Sequence, residues 1–169
     1  MRKILLTSLT VLMVALLTMA WMPVVQATNP TTVSGRWEWM APVDSLEVTK
    51  IADGNLFISA VEIDEFTGTL EGNGMGTFTV VVHPEGFATG NGRTIFTGAV
   101  QEKAGTLEIQ WTGNTRNDLG YWWFHWVIVS GTGELANLRG QGTGFGPGPA
   151  GPGAWGSADL SGKIHFAPN

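Results

Sequence analysis

The chain has 169 residues, 24 glycines, no cysteine and a formal net charge of −5. This length fits one domain, and the absence of cysteine excludes disulfides, thiol nucleophiles and cysteine-ligated zinc. An acidic chain without a basic patch is also a poor candidate for binding nucleic acid or an anionic membrane surface.

The N-terminus has the pattern of a cleaved export signal. Arg2 and Lys3 precede an apolar run from Ile4 to Trp21, and Val25-Gln26-Ala27 offers small residues at the cleavage site. We predict a signal peptide over residues 1–27, a single domain over residues 28–169, and a secreted or periplasmic location. An uncleaved membrane anchor is the alternative, because the apolar run is close to the roughly 18 residues that a spanning helix needs.

Beyond residue 28, short alternating runs are separated by glycine-rich turns, which predicts about eight to ten antiparallel strands and an all-β barrel or sandwich. Tight turns are predicted at Asp53-Gly54, Gly72-Asn73-Gly74, Pro84-Glu85-Gly86 and Asn91-Gly92. The segment 140–156 is rich in glycine and proline, and it is predicted to be a long irregular loop, either a flexible connection or a lid.

The most hydrophobic predicted strand begins at Tyr121. Its even-numbered side chains, from Trp122 to Ile128, are all apolar and are predicted to face the core. The odd face carries Tyr121, Trp123 and His125, which combine apolar rings with polar groups, as ligand pockets do. We expect this second face to be covered. It is interpreted as a ligand-binding wall, with a subunit interface and an ordinary packed strand as alternatives.

The turn after this strand contains Gly131, Gly133 and Gly140. Gly131 and Gly133 are predicted to include a residue with positive φ or without space for a Cβ atom. Glu134 and Arg139 are predicted to form an ion pair that holds the turn, and a contact between Arg139 and a ligand is the alternative.

No catalytic or metal-binding constellation is evident. His83, His125 and His165 are far apart in sequence and lack zinc-ligand spacing, so no metal and no cofactor are predicted. Ser130 has no identifiable base partner. The acidic cluster of Glu62, Asp64 and Glu65 is interpreted as a solvated turn in preference to an acid–base pair or a calcium site.

Several glycine-rich strand pairs follow one another in a recognisable order. They are Gly68-Thr69-Leu70-Glu71-Gly72 with Gly76-Thr77-Phe78, Phe96-Thr97-Gly98 with Gly105-Thr106-Leu107, and the turn from Gly131 to Gly140. This order resembles the DUF3224 family and, more loosely, the allene oxide cyclase and dirigent barrels. The resemblance implies an eight-stranded antiparallel barrel with an internal cavity, often trimeric in the cyclase and dirigent branches. The catalytic residues of those branches have no matching positions here, so the resemblance implies no reaction.

Three functions fit these patterns. The first is an exported barrel that binds a small hydrophobic or aromatic molecule. The second is an isomerase or cyclase acting on such a molecule, because orienting a reactive substrate can itself lower a barrier. The third is a structural or assembly protein, such as a homo-oligomer, whose aromatic face is an interface.

Overall fold

The computed structural model describes residues 29–115 and 120–168, so the predicted signal peptide lies outside the described residues. These residues form one 3-10 turn, Val43–Ser45, and nine strands: β1 Thr31–Met40, β2 Glu47–Ala52, β3 Asn55–Gly68, β4 Leu70–Val82, β5 Ala88–Val100, β6 Lys103–Thr115, β7 Tyr121–Gly133, β8 Leu138–Pro147 and β9 Trp155–Phe166. In this part of the chain, no helix is long and apolar enough to span a membrane.

Eight of the strands close into an antiparallel barrel. The sheet order is β1-β9-β8-β7-β6-β5-β4-β3-β2, and β1 also pairs with β3, with Gly35 opposite Gly68 and Met40 opposite Ile63. Strand β2 pairs with the first half of β3 and lies outside the closed ring. The predicted all-β, eight-stranded antiparallel barrel is therefore confirmed, with β2 as one extra strand.

The barrel interior divides into two halves along its axis. We call the end that contains the β7–β8 turn the closed half. Its side chains are almost fully buried: Val33, Phe66, Leu70, Phe96, Val100, Leu107, Leu135, Leu138 and Ile164. The opposite end is the open half, and most of its inward side chains are only partly buried: Trp39, Phe78, Val80, Trp111 and Trp122. Trp37 and Phe124 lie between the two halves.

The β7–β8 turn seals the closed half. Leu135 at its tip has no exposed surface. Glu134 ties the turn to the start of β6, because its Oε2 accepts a hydrogen bond of 3.1 Å from the Ala104 amide and its own amide donates to the Ala104 carbonyl. Gly133 has φ of +63°, and a Cβ on Gly131 would collide with the Leu135 carbonyl oxygen. The predicted backbone requirement at Gly131 and Gly133 is confirmed.

Two of the predicted hairpin turns are confirmed. Asp53 and Gly54 have φ values of +51° and +78°, and Gly86 has φ of +86° in the turn after β4. The turns predicted at residues 72–74 and 91–92 are wrong, because these residues lie within β4 and β5. Their inward glycines leave space for interior groups instead: Gly92, for example, lies against the Trp111 indole.

The predicted irregular loop over residues 140–156 is also wrong in its extent. Strand β8 continues to Pro147 and β9 begins at Trp155, which leaves only residues 148–154 as a connection. The glycines at even positions of β8 face inward, where the Trp126 ring covers Gly142 and the Phe124 ring covers Gly144. The run of glycines is therefore a strand face that makes room for rings.

Candidate functional site

The predicted ligand-binding face of β7 lies on the outside of the barrel. Tyr121 is 55% exposed and Trp123 is 45% exposed, while Phe124 and Trp126 on the other face are buried as predicted. The Phe145 ring lies beside both exposed rings, with centroid distances of 5.6 Å to Tyr121 and 4.7 Å to Trp123. We call these three residues the outer aromatic patch. The expected cover over this face is not present within the described residues.

The other predicted ligand residues are separated from one another. His125 is exposed and lines a broad groove on the outer surface with Thr112 and Gln141. Arg139 lies at the closed half, where its Nη1 donates hydrogen bonds to the carbonyls of Ala136, at 3.1 Å, and Leu138, at 2.7 Å. The ion pair predicted between Glu134 and Arg139 is wrong, because both side chains bond to backbone groups instead. Tyr121, Trp123, His125 and Arg139 thus do not line the barrel interior.

The open half contains a cavity of about 100 Å³. Its lining residues are not those that the sequence predicted to bind a ligand. Its walls are tryptophan, phenylalanine and aliphatic side chains, and one carboxyl group, that of Glu62, is the only charged group among its lining residues. The lining residues are Trp37, Trp39, Ala41, Glu62, Phe78, Val80, Trp111, Trp122, Phe124 and Pro149. Because Ala41 and Pro149 belong to the connections after β1 and β8, the cavity lies at the open end of the barrel.

Two carboxyl groups are buried at the base of this cavity. Glu62 is 1% exposed, and Asp64, two residues further along β3, has no exposed surface. Both approach the hydroxyl of Thr94 on β5, whose Oγ1 lies 2.8 Å from Glu62 Oε1 and 2.6 Å from Asp64 Oδ2. The three side chains form a continuous hydrogen-bonded row across the barrel wall.

Two indole groups stabilise this row. Trp37 Nε1 donates a 2.8 Å hydrogen bond to Asp64 Oδ1, and Trp111 Nε1 donates a 3.1 Å hydrogen bond to Glu62 Oε1. Glu62 Oε1 therefore accepts both hydrogen bonds that Glu62 makes to described residues. The second carboxyl oxygen, Oε2, remains available to a molecule in the cavity.

The geometry of Thr94 requires that the two carboxyl groups share a proton. A hydroxyl has one hydrogen and can donate to one carboxylate only. Its second short contact with a carboxyl oxygen is favourable only if that carboxyl is protonated and donates to Thr94 Oγ1. The pair therefore carries at least one proton in this arrangement, and that proton belongs to the pair as a unit.

Burial favours the same protonation state. Desolvation and the nearby Asp64 charge together raise the pKa of Glu62 to about 7, although hydrogen bonds from Trp111 and Thr94 oppose the shift. Desolvation also raises the pKa of Asp64 to about 6, against hydrogen bonds from Thr94 and Trp37. A proton is consequently held in the pair near neutral pH.

Two glycines of β4 make the row possible. Strand β4 lies between β3 and β5, so Glu62 and Asp64 must reach Thr94 across it. A Cβ on Gly74 would lie 2.9 Å from Asp64 Oδ2, and one on Gly76 would lie 2.6 Å from Thr94 Oγ1. Both positions therefore require glycine if the carboxyl groups are to meet the hydroxyl.

The interpretation of Glu62 and Asp64 as part of a solvated turn is wrong. Both residues lie within β3, in phase with the buried Ala60 and Phe66, so the period of two places them inside the barrel. The alternation could have predicted that these two side chains face the interior. It was overridden because charged residues are rarely found inside a core. Only Glu65 of the cluster is exposed.

The described residues contain no group of three or more histidine, aspartate or glutamate side chains that could hold a metal ion. Within the same part of the chain, the buried charged residues are Glu62 and Asp64, and no lysine or arginine is buried. The carboxyl pair is thus surrounded by neutral groups. It can accept hydrogen bonds, hold a proton, or balance a positive charge in the cavity.

The comparisons with known proteins agree with this fold. A model described as "Protein of unknown function (DUF3224)" matches residues 41–145. A crystal structure of a protein of unknown function from the DUF3224 family of Shewanella oneidensis MR-1 is similar, with a TM-score of 0.65 and 19% identity. The alignment covers 83% of this chain and 100% of that chain. No curated protein matches the chain.

Proposed function

The chain belongs to the DUF3224 family, and from that premise we propose that it is an exported barrel that binds a small, mainly apolar or aromatic molecule in the open half. The observation that carries the proposal is the aromatic cavity that ends on the buried carboxyl of Glu62. Ligand sites commonly combine apolar walls with one or a few placed polar groups.

The dimensions of the cavity limit the size of the ligand. A volume of about 100 Å³ is of the order of the ~150 Å³ apolar cavity that holds benzene in another protein. One aromatic ring, or a branched group of similar size, therefore suits the space. A longer ligand would extend through the open end, past Ala41 and Pro149.

Titration with toluene tests the binding proposal. Intrinsic tryptophan fluorescence should change and saturate as toluene enters the cavity, because Trp37, Trp39, Trp111 and Trp122 line it. The variant Ala41→Leu should weaken binding at least about tenfold by filling the cavity mouth, which corresponds to about 1.4 kcal/mol.

The matched control is Ala136→Leu, which makes the same chemical change at an exposed position of the β7–β8 turn. This control should bind toluene as the parent does. Equal affinity of Ala41→Leu and the parent, or a fluorescence response that never saturates, would contradict binding in the open half.

Export remains part of the proposal and is supported by the signal-like pattern of residues 1–27. When the full chain is expressed, the protein should be recovered outside the cytoplasm with Thr28 at its N-terminus. N-terminal sequencing that finds Met1 in a membrane fraction would contradict it.

A second candidate function is an isomerase or cyclase, the reaction type of the allene oxide cyclase-like barrels. The carboxyl pair favours it, since general acid–base catalysis is most efficient when the pKa of the group is near the working pH, and that of Glu62 is about 7. Glu62 would take a proton from carbon and return it at another position.

Deuterium exchange tests this second function. Cyclopentanone is a suitable probe because it fits the cavity and has acidic hydrogens beside its carbonyl. In D₂O, the parent should accelerate exchange at these positions at least about tenfold over Glu62→Gln. Equal exchange rates with the parent and with Glu62→Gln would contradict a role of Glu62 in proton transfer.

A further inference from the structure

We infer that the ligand of the open half is a small organic cation, such as an alkylammonium group, held between aromatic rings and the carboxyl of Glu62. The inference rests on the proposed binding function and specifies its ligand class. It draws on three independent features: the arrangement of the rings, the charge of the interior, and the free carboxyl oxygen.

The rings of the open half meet at large angles, like the walls of a box. Trp111 and Trp122 are 6.2 Å apart at 82°, and Trp39 and Phe124 are 6.0 Å apart at 90°. Phe78 lies 6.4 Å from Trp111 at 44°. The negative face of an aromatic ring attracts cations within about 6 Å, and such aromatic cages recognise quaternary ammonium groups. The indole faces therefore add an attraction for a cation that aliphatic walls would lack.

The charge of the interior favours the same ligand. With one proton held by the carboxyl pair near neutral pH, one negative charge remains on it, and none of the described lysines or arginines is buried beside it. A buried charge without a counter-charge is costly, and pairing it reduces that cost. A cation in the cavity would supply the counter-charge that the chain itself does not.

Glu62 supplies the carboxyl oxygen that would contact the ammonium group. Its Oε1 accepts hydrogen bonds from Thr94 and Trp111, and the residue lines the cavity while being 1% exposed. The hydrogen bonds that Glu62 accepts from described residues both end on Oε1, which leaves Oε2 for a molecule in the cavity. It can therefore face an ammonium group or accept a hydrogen bond from one. Anionic ligands are disfavoured by the same charge.

Choline and 3,3-dimethylbutan-1-ol form a matched pair of probes, because they have the same shape and differ in the positive charge at the central atom. We expect choline to bind at least tenfold more tightly than the neutral isostere, measured by tryptophan fluorescence at constant ionic strength. Glu62→Gln keeps an acceptor oxygen for Thr94 and Trp111 and confines the negative charge of the pair to Asp64, which does not line the cavity. It should lower choline affinity about tenfold and leave the affinity for the isostere unchanged.

Glu65→Gln is the control, since Glu65 lies on the same strand but is exposed on the outer face. This variant should bind both probes as the parent does. If Glu62→Gln does not fold, as judged by circular dichroism, Trp122→Leu replaces it. Loss of the Trp122 ring should reduce the preference for choline over the isostere.

The outcomes separate this inference from the proposed function. If the isostere binds as tightly as choline, the cation inference is overturned and binding in the open half stands. If neither choline, the isostere nor toluene binds, both are overturned. If Glu65→Gln abolishes the preference for choline to the same extent as Glu62→Gln, that preference is due to the overall charge of the protein, and the inference is overturned.

Discussion

The closed and open halves of the barrel are built from the same alternating strands but contain different chemistry. In the closed half, aliphatic and phenylalanine side chains pack with almost no exposed surface, and Leu135 covers the end. In the open half, indole rings remain partly exposed around a cavity, and two carboxyl groups are buried at its base. Close packing stabilises one half, whereas the other half retains space and an incompletely compensated charge.

This difference indicates a division of roles within one continuous sheet. Burying apolar surface is the main favourable contribution to folding, and the closed half supplies most of that packing. Buried carboxyl groups oppose folding when ionised. In this barrel they lie at the base of the cavity, where Glu62 can contact a bound molecule. Changes in the closed half should therefore affect stability alone, and changes in the open half should affect binding and pH dependence.

The largest effect is expected at the tip of the β7–β8 turn. Leu135→Ala should lower the free energy of unfolding by about 4 kcal/mol, because the removed side chain is fully buried and leaves a cavity. Urea unfolding measures the change. At urea-free conditions where the variant is folded, its toluene affinity should match that of the parent. A loss of affinity equal to that of Ala41→Leu would contradict the separation of the two halves.

The second prediction concerns pH and the open half. The pKa of Glu62 is raised from 4.5 to about 7 by burial, so the folded protein binds this proton more tightly than the unfolded chain. The stabilisation is complete below pH 4.5 and is lost as the pH rises through about 7. It amounts to about 3 kcal/mol, since one pKa unit is worth 1.36 kcal/mol.

Urea unfolding at several pH values between 4 and 8 measures this effect. The parent should lose stability across the range, and Glu62→Gln should lose about half of that dependence, because the glutamine does not titrate whereas Asp64 still does. Asp64 adds to the same trend, because burial also raises its pKa, to about 6. Parallel pH profiles of the parent and Glu62→Gln would contradict a titrating carboxyl pair.

A third, smaller effect is expected at Gly131. A methyl group there meets the Leu135 carbonyl, so Gly131→Ala should cost about 2 kcal/mol of unfolding free energy. Gly151→Ala is a suitable control, because a Cβ at that position has no neighbour within 4 Å. Equal melting temperatures for the two variants would show that the turn tolerates a side chain.

The smallest effect is expected at the outer aromatic patch. Trp123 is 45% exposed, so Trp123→Ala should change the unfolding free energy by less than about 1 kcal/mol and leave toluene binding unchanged. Light scattering on this variant also addresses the assembly function. A fall in mass relative to the parent would show that Trp123 belongs to a subunit interface, since buried aromatic side chains anchor interfaces.

The strand pattern made the fold predictable from the sequence. The alternation in β7 identified Phe124 and Trp126 as core, and the turns at Asp53-Gly54 and Gly86 followed from residues that accept positive φ. Glycine was misread elsewhere, because in this barrel it also occurs at inward positions under rings. Gly142 and Gly144, for example, lie beneath Trp126 and Phe124 within β8.

The candidate site was harder to predict. Tyr121 and Trp123 have the composition of a pocket wall, but closure of the barrel turns their face outward. Glu62 and Asp64 have the composition of a surface turn, and their burial depends on contacts with Thr94, Trp37 and Trp111 from three other strands. Such contacts across 27 or more positions are not visible in local patterns.

The indole NH signals of the tryptophans test the account most directly. In a protein labelled with ¹⁵N, each indole gives its own resonance in a ¹H–¹⁵N spectrum, and toluene is added stepwise. We predict that the signals of Trp37, Trp111 and Trp122 shift and saturate, because these rings line the cavity, while the exposed Trp123 and Trp155 stay unchanged. Shifts confined to Trp123 and Trp155 would place the binding site on the outer surface and contradict the account.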